Sequence, residues 1–580
     1  MAKTLQEQGI LTCPIRPLDH PLSGYPGFDP HTEILPAGYR FREGRLAFPC
    51  DTLLMQDAAI TVRDGTTLYA DIYRPVCEEP VPAIVCWGSW GKRGKELAMP
   101  FSDTLPNYTP NRARAQEDPL HPRVAFFGFD ELTGLQARGG EDPAQWVPYG
   151  YAIVNVDPRG VYNSEGEMLF FGTQNGRDGY DVIEWLAAQD WCSGKIGTSG
   201  NHWYGIEQWF IAQECPPHLC AMHPAEAHGD FYRDEIVRGG IPRLDFGSRG
   251  MSYGNSNIED IVGMSLKHPL DDAYWKDKEV KFEKITVPVF LTASFTQWNH
   301  SRGPFDGFNR LGSQEKWLRI HNGMEFIDFR LPENIAQVRR FFDHYLKGED
   351  NGWEKTPRVQ LSVLDPGGWD TTGRPEASFP LARQQVRTLY LNAADGSLCL
   401  QEPDEESTVS YVSNDGEGNA RFRLQFEEET EITGFLELNI FMSTDQAIDM
   451  DVFVRINKLD ADGNQLYANY TNVYSGPNGR LRASLRRVDP QCSQELRPYH
   501  PYDRAEYFDP FEVVELDIGI WPTSLRFHPG EMLELEISGF ELQTAHNGPA
   551  LLETVNRGSH TIYTGGAYAS RLLIPVIPAE

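Results

Sequence analysis

"IGTSGNHWYG", residues 196–205, reads as a short strand running into a Gly-rich turn, and the helical stretch "IEQWFIAQ" follows at once. A tight strand-to-helix turn of this kind lifts one side chain above the end of a parallel sheet. There the next backbone N–H and the helix N-terminus can stabilise a developing oxyanion. Gly200 and Gly205 permit the close backbone approach that such an elbow needs. The usual residue at the tip is a nucleophilic serine, with an acid and a histidine later in the chain. Here the tip is His202.

Working outward, "VPAIVCWGSWG" and "GYAIVNVDPRG" are short apolar runs that end in Gly or Pro, as buried parallel strands do. "AAITVRDGTTLYADIYRP" places β-rich runs on either side of a D-G turn and predicts a hairpin. "GRDGYDVIEWLAAQDW" has Tyr180, Ile183, Leu186 and Ala187 at helical spacing, so strands and helices alternate as in a βαβ sheet. Further strands are expected at "LCAMHPA", "ITVPVFLTASF" and "KWLRIHN", before the amphipathic helix "ENIAQVRRFFDHYLKG" with its Lys-Gly stop.

From about Pro357 the pattern changes to short β-runs between turn residues, which reads as a jelly-roll β-sandwich. The expected organisation is a Pro- and Gly-rich wrapping segment at 1–49, an α/β domain at 50–227 and 284–350, and a sandwich at 351–580. An insertion at 228–283 interrupts the sheet strands and is expected to form a helical lid over the site.

Composition excludes several classes. A net charge of −31 with no basic cluster repels a phosphate backbone, so no nucleic-acid partner is expected. No run approaches the roughly 18 apolar residues of a membrane span, and the first residues carry no apolar signal core, so the expectation is a cytoplasmic protein without a membrane partner. Nine scattered cysteines without a C-x-x-C pair predict free thiols. No cofactor and no metal site are expected: His202, His321 and an acid such as Glu325 or Glu226 have no ligand spacing behind them. A homo-oligomer is compatible with the sequence.

Taken together, "MQDAAITVRDGTTLYADIYRPV", "VPYGYAIVNVDPRGVYNSEGE", "KIGTSGNHWYGIEQW", "KWLRIHNG" and "NRGSHTIYTGG" resemble the CocE/NonD family. This is the group of cocaine esterase, α-amino-acid ester hydrolases and X-Pro dipeptidyl-peptidases. The resemblance runs from about residue 55 to the end. It implies an α/β-hydrolase fold with a helical lid and a C-terminal jelly-roll domain.

The family's G-x-S-x-x-G elbow matches Gly200 to Gly205 with His202 in the serine's place. Its acid position falls on Gln297, an amide, and its catalytic histidine on His321. The tyrosine that donates to the oxyanion falls on Trp90, whose indole N–H can still donate one hydrogen bond. Trp203, Tyr204, Trp298 and His300 are the further expected pocket residues. Ser199 lies in the approach strand and should not point where the elbow tip points. Asp157, Arg159 and Arg233 match family positions and read as structural ion-pair residues.

At such a tip an imidazole can attack a carbonyl or act as general acid or base. Were His202 and His321 to face each other, they would titrate as a pair, with Gln297 orienting His321. The resulting expectation is a small-molecule enzyme doing acid/base chemistry on a largely apolar carbonyl substrate, by isomerisation, cyclisation, elimination or C–C cleavage in a biosynthetic pathway. An ester, amide or thioester hydrolase using His202, and an inactive ligand-binding protein, are the alternatives.

Overall fold

The computed structural model describes residues 4–21, 23–25, 27–93, 132–246, 252–297, 300–323, 325–468, 476–542, 544, 545, 548, 549 and 551–579. Its first layer is a sheet of eleven strands. In chain order these are β1 (His31–Leu35), β2 (Thr52–Thr61), β3 (Thr67–Pro75), β4 (Val81–Trp87), β5 (Ala152–Asp157), β6 (Cys192–Asn201), β7 (Leu219–Ala225), β8 (Val289–Ser294), β9 (Lys316–His321), β10 (Val359–Val363) and β11 (Thr371–Glu376). Their spatial order is β11-β10-β9-β8-β7-β6-β4-β5-β3-β2-β1.

The seven strands from β10 to β5 pair in parallel. Every residue of β4, β5 and β8 is buried, which is why these strands read as continuous apolar runs rather than alternating ones. The D-G hairpin forms as β2 and β3, and β3 pairs antiparallel with β5. The Pro-rich N-terminal segment does more than wrap. His31–Leu35 is the edge strand β1, and Thr12–Pro14 pairs with Asn257–Glu259 of the inserted segment.

Among the described residues the helices that cover the sheet include α1 (Thr173–Ala187), α2 (Trp203–Ala212) and α3 (Pro332–Lys347). Helix α1 buries Val182, Ile183 and Leu186. Helix α3 starts with Pro at N1 and stops at Gly348 in the left-handed region (φ 72°). Helix α2 differs, because all ten of its residues are buried. A helix buried on every side belongs to the interior, and this one carries the elbow into the centre of the domain.

Residues 385–577 form a second sheet system of twelve strands among the described residues. Its long strand Thr430–Thr444 pairs with Val514–Phe527, Ser559–Thr564 and Arg571–Ile577. Leu364, just past β10, exchanges backbone hydrogen bonds with Ser524 and Arg526, so the two layers join through main chain as well as apolar packing. All nine cysteines are free. Among the described residues no helix is long and apolar enough to cross a membrane.

The turn between β6 and α2 leaves no spare volume. A Cβ on Gly205 would lie 2.4 Å from the Ala225 carbonyl oxygen, and one on Gly200 2.4 Å from Tyr204 Cβ. Gly205→Ala is therefore expected to lower the thermal midpoint by several degrees or to prevent soluble expression, as overpacking by about 1–3 kcal/mol would. Gly348→Ala, where a Cβ meets open space, should cost only the backbone strain of about 1 kcal/mol. Thermal unfolding of both variants checks this order.

Candidate active site

His202 is held with φ 60° and ψ −124°, a conformation of the kind that costs about 1–3 kcal/mol and persists only where surrounding structure enforces it. The enforcement is visible. The His202 N–H donates to the Ala225 carbonyl at 3.0 Å, and the Asn201 N–H donates to the Gly139 carbonyl at 2.7 Å. The imidazole then folds back onto its own helix: the Trp203 N–H donates to His202 Nδ1 at 2.9 Å. In a serine elbow that N–H is free to meet an oxyanion, whereas here the tip side chain has taken it.

Around the ring the walls are aromatic. Trp90 lies 5.0 Å from His202 between ring centroids and Phe326 lies 6.1 Å away. Trp90 also stacks on Trp203 at 5.5 Å, and Trp203 stacks on Phe246 of the inserted segment at 5.9 Å. The Arg138 guanidinium sits 4.4 Å above Trp90. Burial, and then the charge of Arg138, hold the His202 imidazole well below the usual histidine range, so the ring is neutral. A neutral imidazole whose Nδ1 accepts a hydrogen bond carries its proton on Nε2.

The partner of His202 is not His321. Among the described residues no ring contact joins the two, and His202 instead meets His300 edge-on at 4.3 Å. His300 stacks on His228 at 5.3 Å. His300 and His228 are fully buried, and neither nitrogen of either ring has a hydrogen-bond partner. Burial lowers both, His228 to about 4.

His321 keeps a carboxylate, though not from the expected place. Its Nε2 is 2.7 Å from Glu226 Oε1, while Glu226 Oε2 is buried without a hydrogen-bond partner. Glu226 follows β7, the strand beside the elbow strand, and has a positive φ of 48°. Its N–H donates to the Thr292 carbonyl. Gln297, at the family's acid position, bonds to Glu325 rather than orienting His321. Burial first, and then the nearby charge of Glu226, push the Glu325 carboxyl well above the usual carboxylate range. On its other side His321 Nδ1 faces Asp328 at 3.9 Å, but Asp328 is bound by Arg319.

One other expectation, a pocket role for Tyr204, does not fit its surroundings. Tyr204 lies beneath the elbow, packed under Gly88 and Gly139, and its hydroxyl is spent on the main chain, donating to the Gly91 carbonyl at 2.7 Å. Trp203 is 3 % exposed and acts as a wall. Trp298 lies outside the described residues. Ser199 is sealed: its hydroxyl lies 2.6 Å from Glu141 and 3.0 Å from His223, whose other nitrogen meets Thr292. This Glu-Ser-His cluster has the components of a triad but no surface, and burial lowers His223 to about 3. Arg159 binds Asp178 and Asp64, and Arg233 binds Asp230 and Asp271, as structural residues do. Asp365, His528 and Glu531 could share a cation, but the Lys458 ammonium already lies 2.8 Å from both Asp365 and Glu531.

Sequence reasoning missed Glu226 as the partner of His321, and it missed His228 and Arg138 altogether. The signal for Glu226 was present as a carboxylate at the C-terminal end of "LCAMHPA", on the strand adjoining the elbow.

The buried neutral histidines have a measurable consequence. Unfolded, each titrates near its ordinary value of 6.5, while folded His228 is held at about 4. Between these values the unfolded chain binds more protons, so stability is full above pH 6.5 and is lost as pH falls toward 4. The urea midpoint at fixed ionic strength is expected to drop between pH 7 and pH 5. A His228→Phe variant should show a shallower drop, by on the order of 1–3 kcal/mol at the acid end. Equal slopes would mean that His228 is not neutral in the fold.

Comparison with known proteins adds the lineage. Residues 64–324 match the X-Pro dipeptidyl-peptidase (S15 family), and residues 351–573 match the X-Pro dipeptidyl-peptidase C-terminal non-catalytic domain. The chain is 26% identical to cocaine esterase of Rhodococcus sp. (strain MB1 Bresler), over 89% of this chain and 97% of that protein. It is 22% identical to a putative serine esterase of Mycobacterium bovis, over 75% of this chain and 84% of that protein. A crystal structure of a CocE/NonD family hydrolase from Staphylococcus aureus superposes with a TM-score of 0.83 at 30% identity, covering 95% of this chain and 97% of the other. An α-amino-acid ester hydrolase shares the fold at a TM-score of 0.64 and 16% identity. With an α/β-hydrolase sheet, an elbow on its sixth strand and a C-terminal β domain, the chain belongs to the CocE/NonD family, a family of hydrolases.

Proposed function

We propose that this protein is a small-molecule enzyme that moves protons on an apolar carbonyl compound without acylating its own chain. The observation that carries this reading is the hydrogen bond from the Trp203 N–H to His202 Nδ1. It occupies one nitrogen of the tip imidazole and leaves the proton on the other, so His202 offers a donor rather than a nucleophile. A neutral imidazole at a helix N-terminus can polarise a carbonyl in this way.

The remaining groups supply the other halves of acid/base chemistry. Glu226 is held through one oxygen by His321, and its free oxygen is the proton acceptor. His321 is then a positioning residue, not the base that faces His202. Glu325 holds its proton and is the second donor. A proton removed beside the carbonyl by Glu226 leaves an enolate whose oxygen is met by the His202 Nε2–H, and Glu325 returns a proton at the same or a neighbouring atom. Isomerisation and elimination both begin this way. Trp90 and Phe326 favour a ring-bearing or otherwise apolar substrate.

A second reading is direct hydrolysis, with Glu226 activating a water and His202 polarising an ester or amide. The bonded His321–Glu226 pair and the esterases among the relatives favour it.

Two assays on the full chain separate them. Wild-type protein is expected to catalyse exchange of the protons beside the carbonyl of 4-phenylbutan-2-one in D₂O, followed by ¹H NMR. The rate should fall about 10²–10⁴-fold in Glu226→Gln and about 10²-fold in His202→Ala. A fluorophosphonate should leave no adduct, and p-nitrophenyl butyrate should give no burst. Steady p-nitrophenol release that Glu226→Gln abolishes, without exchange, would replace this reading by the hydrolytic one. Neither activity in wild type would refute both.

A further inference from the structure

A cavity of about 460 Å³ lies where the inserted segment and helix Gly303–Arg310 meet the β-sandwich. None of the side chains grouped around His202 lines it, so it is separate from the elbow site. Its walls carry guanidinium and carboxylate groups together, and nearly all of them are matched. Asp230 pairs with Arg233, and Asp306 pairs with Arg497. Glu279 and Glu283 lie beside Arg310, Arg302 is held by Asp234, and Arg480 is held by Glu541 at 2.7 Å.

Arg238 is the exception. It is 7 % exposed, and among the described residues no carboxylate lies within ion-pair distance of it. One Nη donates to the Asn478 carbonyl at 2.7 Å, and the guanidinium lies 3.5 Å above the Trp521 ring. Arg480, its neighbour, takes Glu541, and burial together with the charge of Arg480 opposes the charge on Arg238. Removing a cation from water without a counter-charge is costly, and the fold does not let it swing away. The backbone behind it is pinned, since Arg480 Nε donates to the Arg238 carbonyl and a Cβ on Gly239 would lie 2.3 Å from the Arg480 carbonyl oxygen.

We propose that this junction cavity binds a small organic anion, whose phosphoryl or carboxylate oxygens meet Arg238 and whose apolar body lies against Trp521. The volume suits a ligand of metabolite size. A planar guanidinium resting on an indole, with N–H groups left over, is suited to an oxyanion presented edge-on. Such a ligand would touch the inserted segment and the sandwich at once, and so would tie the two together.

Isothermal titration of the full-length protein with phenyl phosphate and with benzoate, at constant ionic strength against sodium chloride, tests this. At least one of the two is expected to bind saturably at one site per chain and to raise the thermal midpoint. A response to phenyl phosphate alone assigns a phosphoryl ligand, and a response to benzoate alone a carboxylate. Arg238→Gln should weaken binding at least about tenfold, and Arg238→Lys should retain part of it. Elbow chemistry in the exchange assay should persist in both variants. A flat wild-type isotherm with both anions overturns the proposal whatever the variants do, and so does unchanged affinity in Arg238→Gln.

Discussion

One hydrogen bond, from the Trp203 N–H to His202 Nδ1, governs what the elbow can do. It caps the buried helix α2 with the side chain of the tip residue itself, a role that Ser, Thr, Asp and Asn fill at most helix starts. By taking that N–H it removes a donor that serine hydrolases aim at their tetrahedral intermediate. It also fixes the ring against Trp90 and Phe326 and sets which nitrogen bears the proton. The strained backbone at residue 202 holds the imidazole at the elbow tip with its Nδ1 engaged.

The sheet explains why the other groups gather there. In a parallel sheet the C-terminal ends of the strands share one edge, and ligands bind beyond that edge. Asn201 is in register with Ala225, and Ser294 with His321, so the residues that follow these strands must crowd together. A carboxylate can therefore reach His321 from the adjoining strand β8 or from β7, one strand further on. In this chain it comes from β7 as Glu226, and Gln297 beyond β8 is left to hold Glu325.

Much of this was legible from residue types. The apolar runs at 81–87 and 152–157 gave buried parallel strands, and glycines 200 and 205 gave the elbow, because those signals are local and depend on backbone sterics. The exchange of partners was not legible. Matching a motif assigns the acid by its distance along the chain, whereas the hydrogen bond depends on which strand ends converge at one edge of the sheet. Tyr204 follows the same logic: two residues from the tip in sequence, it is rotated by the first helical turn to lie under Gly88 and Gly139, away from any ligand. The unpartnered nitrogens of His228 and His300 arise from packing between segments seventy residues apart, which no pattern in either segment records.

The sandwich has its own consequence for how the protein is made. Strand Arg571–Ile577 does not sit at an edge, for it pairs on one side with Gln385–Asn392 and on the other with Thr430–Thr444. These partners lie well over a hundred residues upstream, so they emerge from the ribosome with one flank unpaired and wait for the last strand to arrive. Long-range antiparallel pairing of this kind is slow to form and leaves strand edges open meanwhile. The α/β sheet, complete by Glu376, is therefore available first as a finished surface on which the sandwich can assemble.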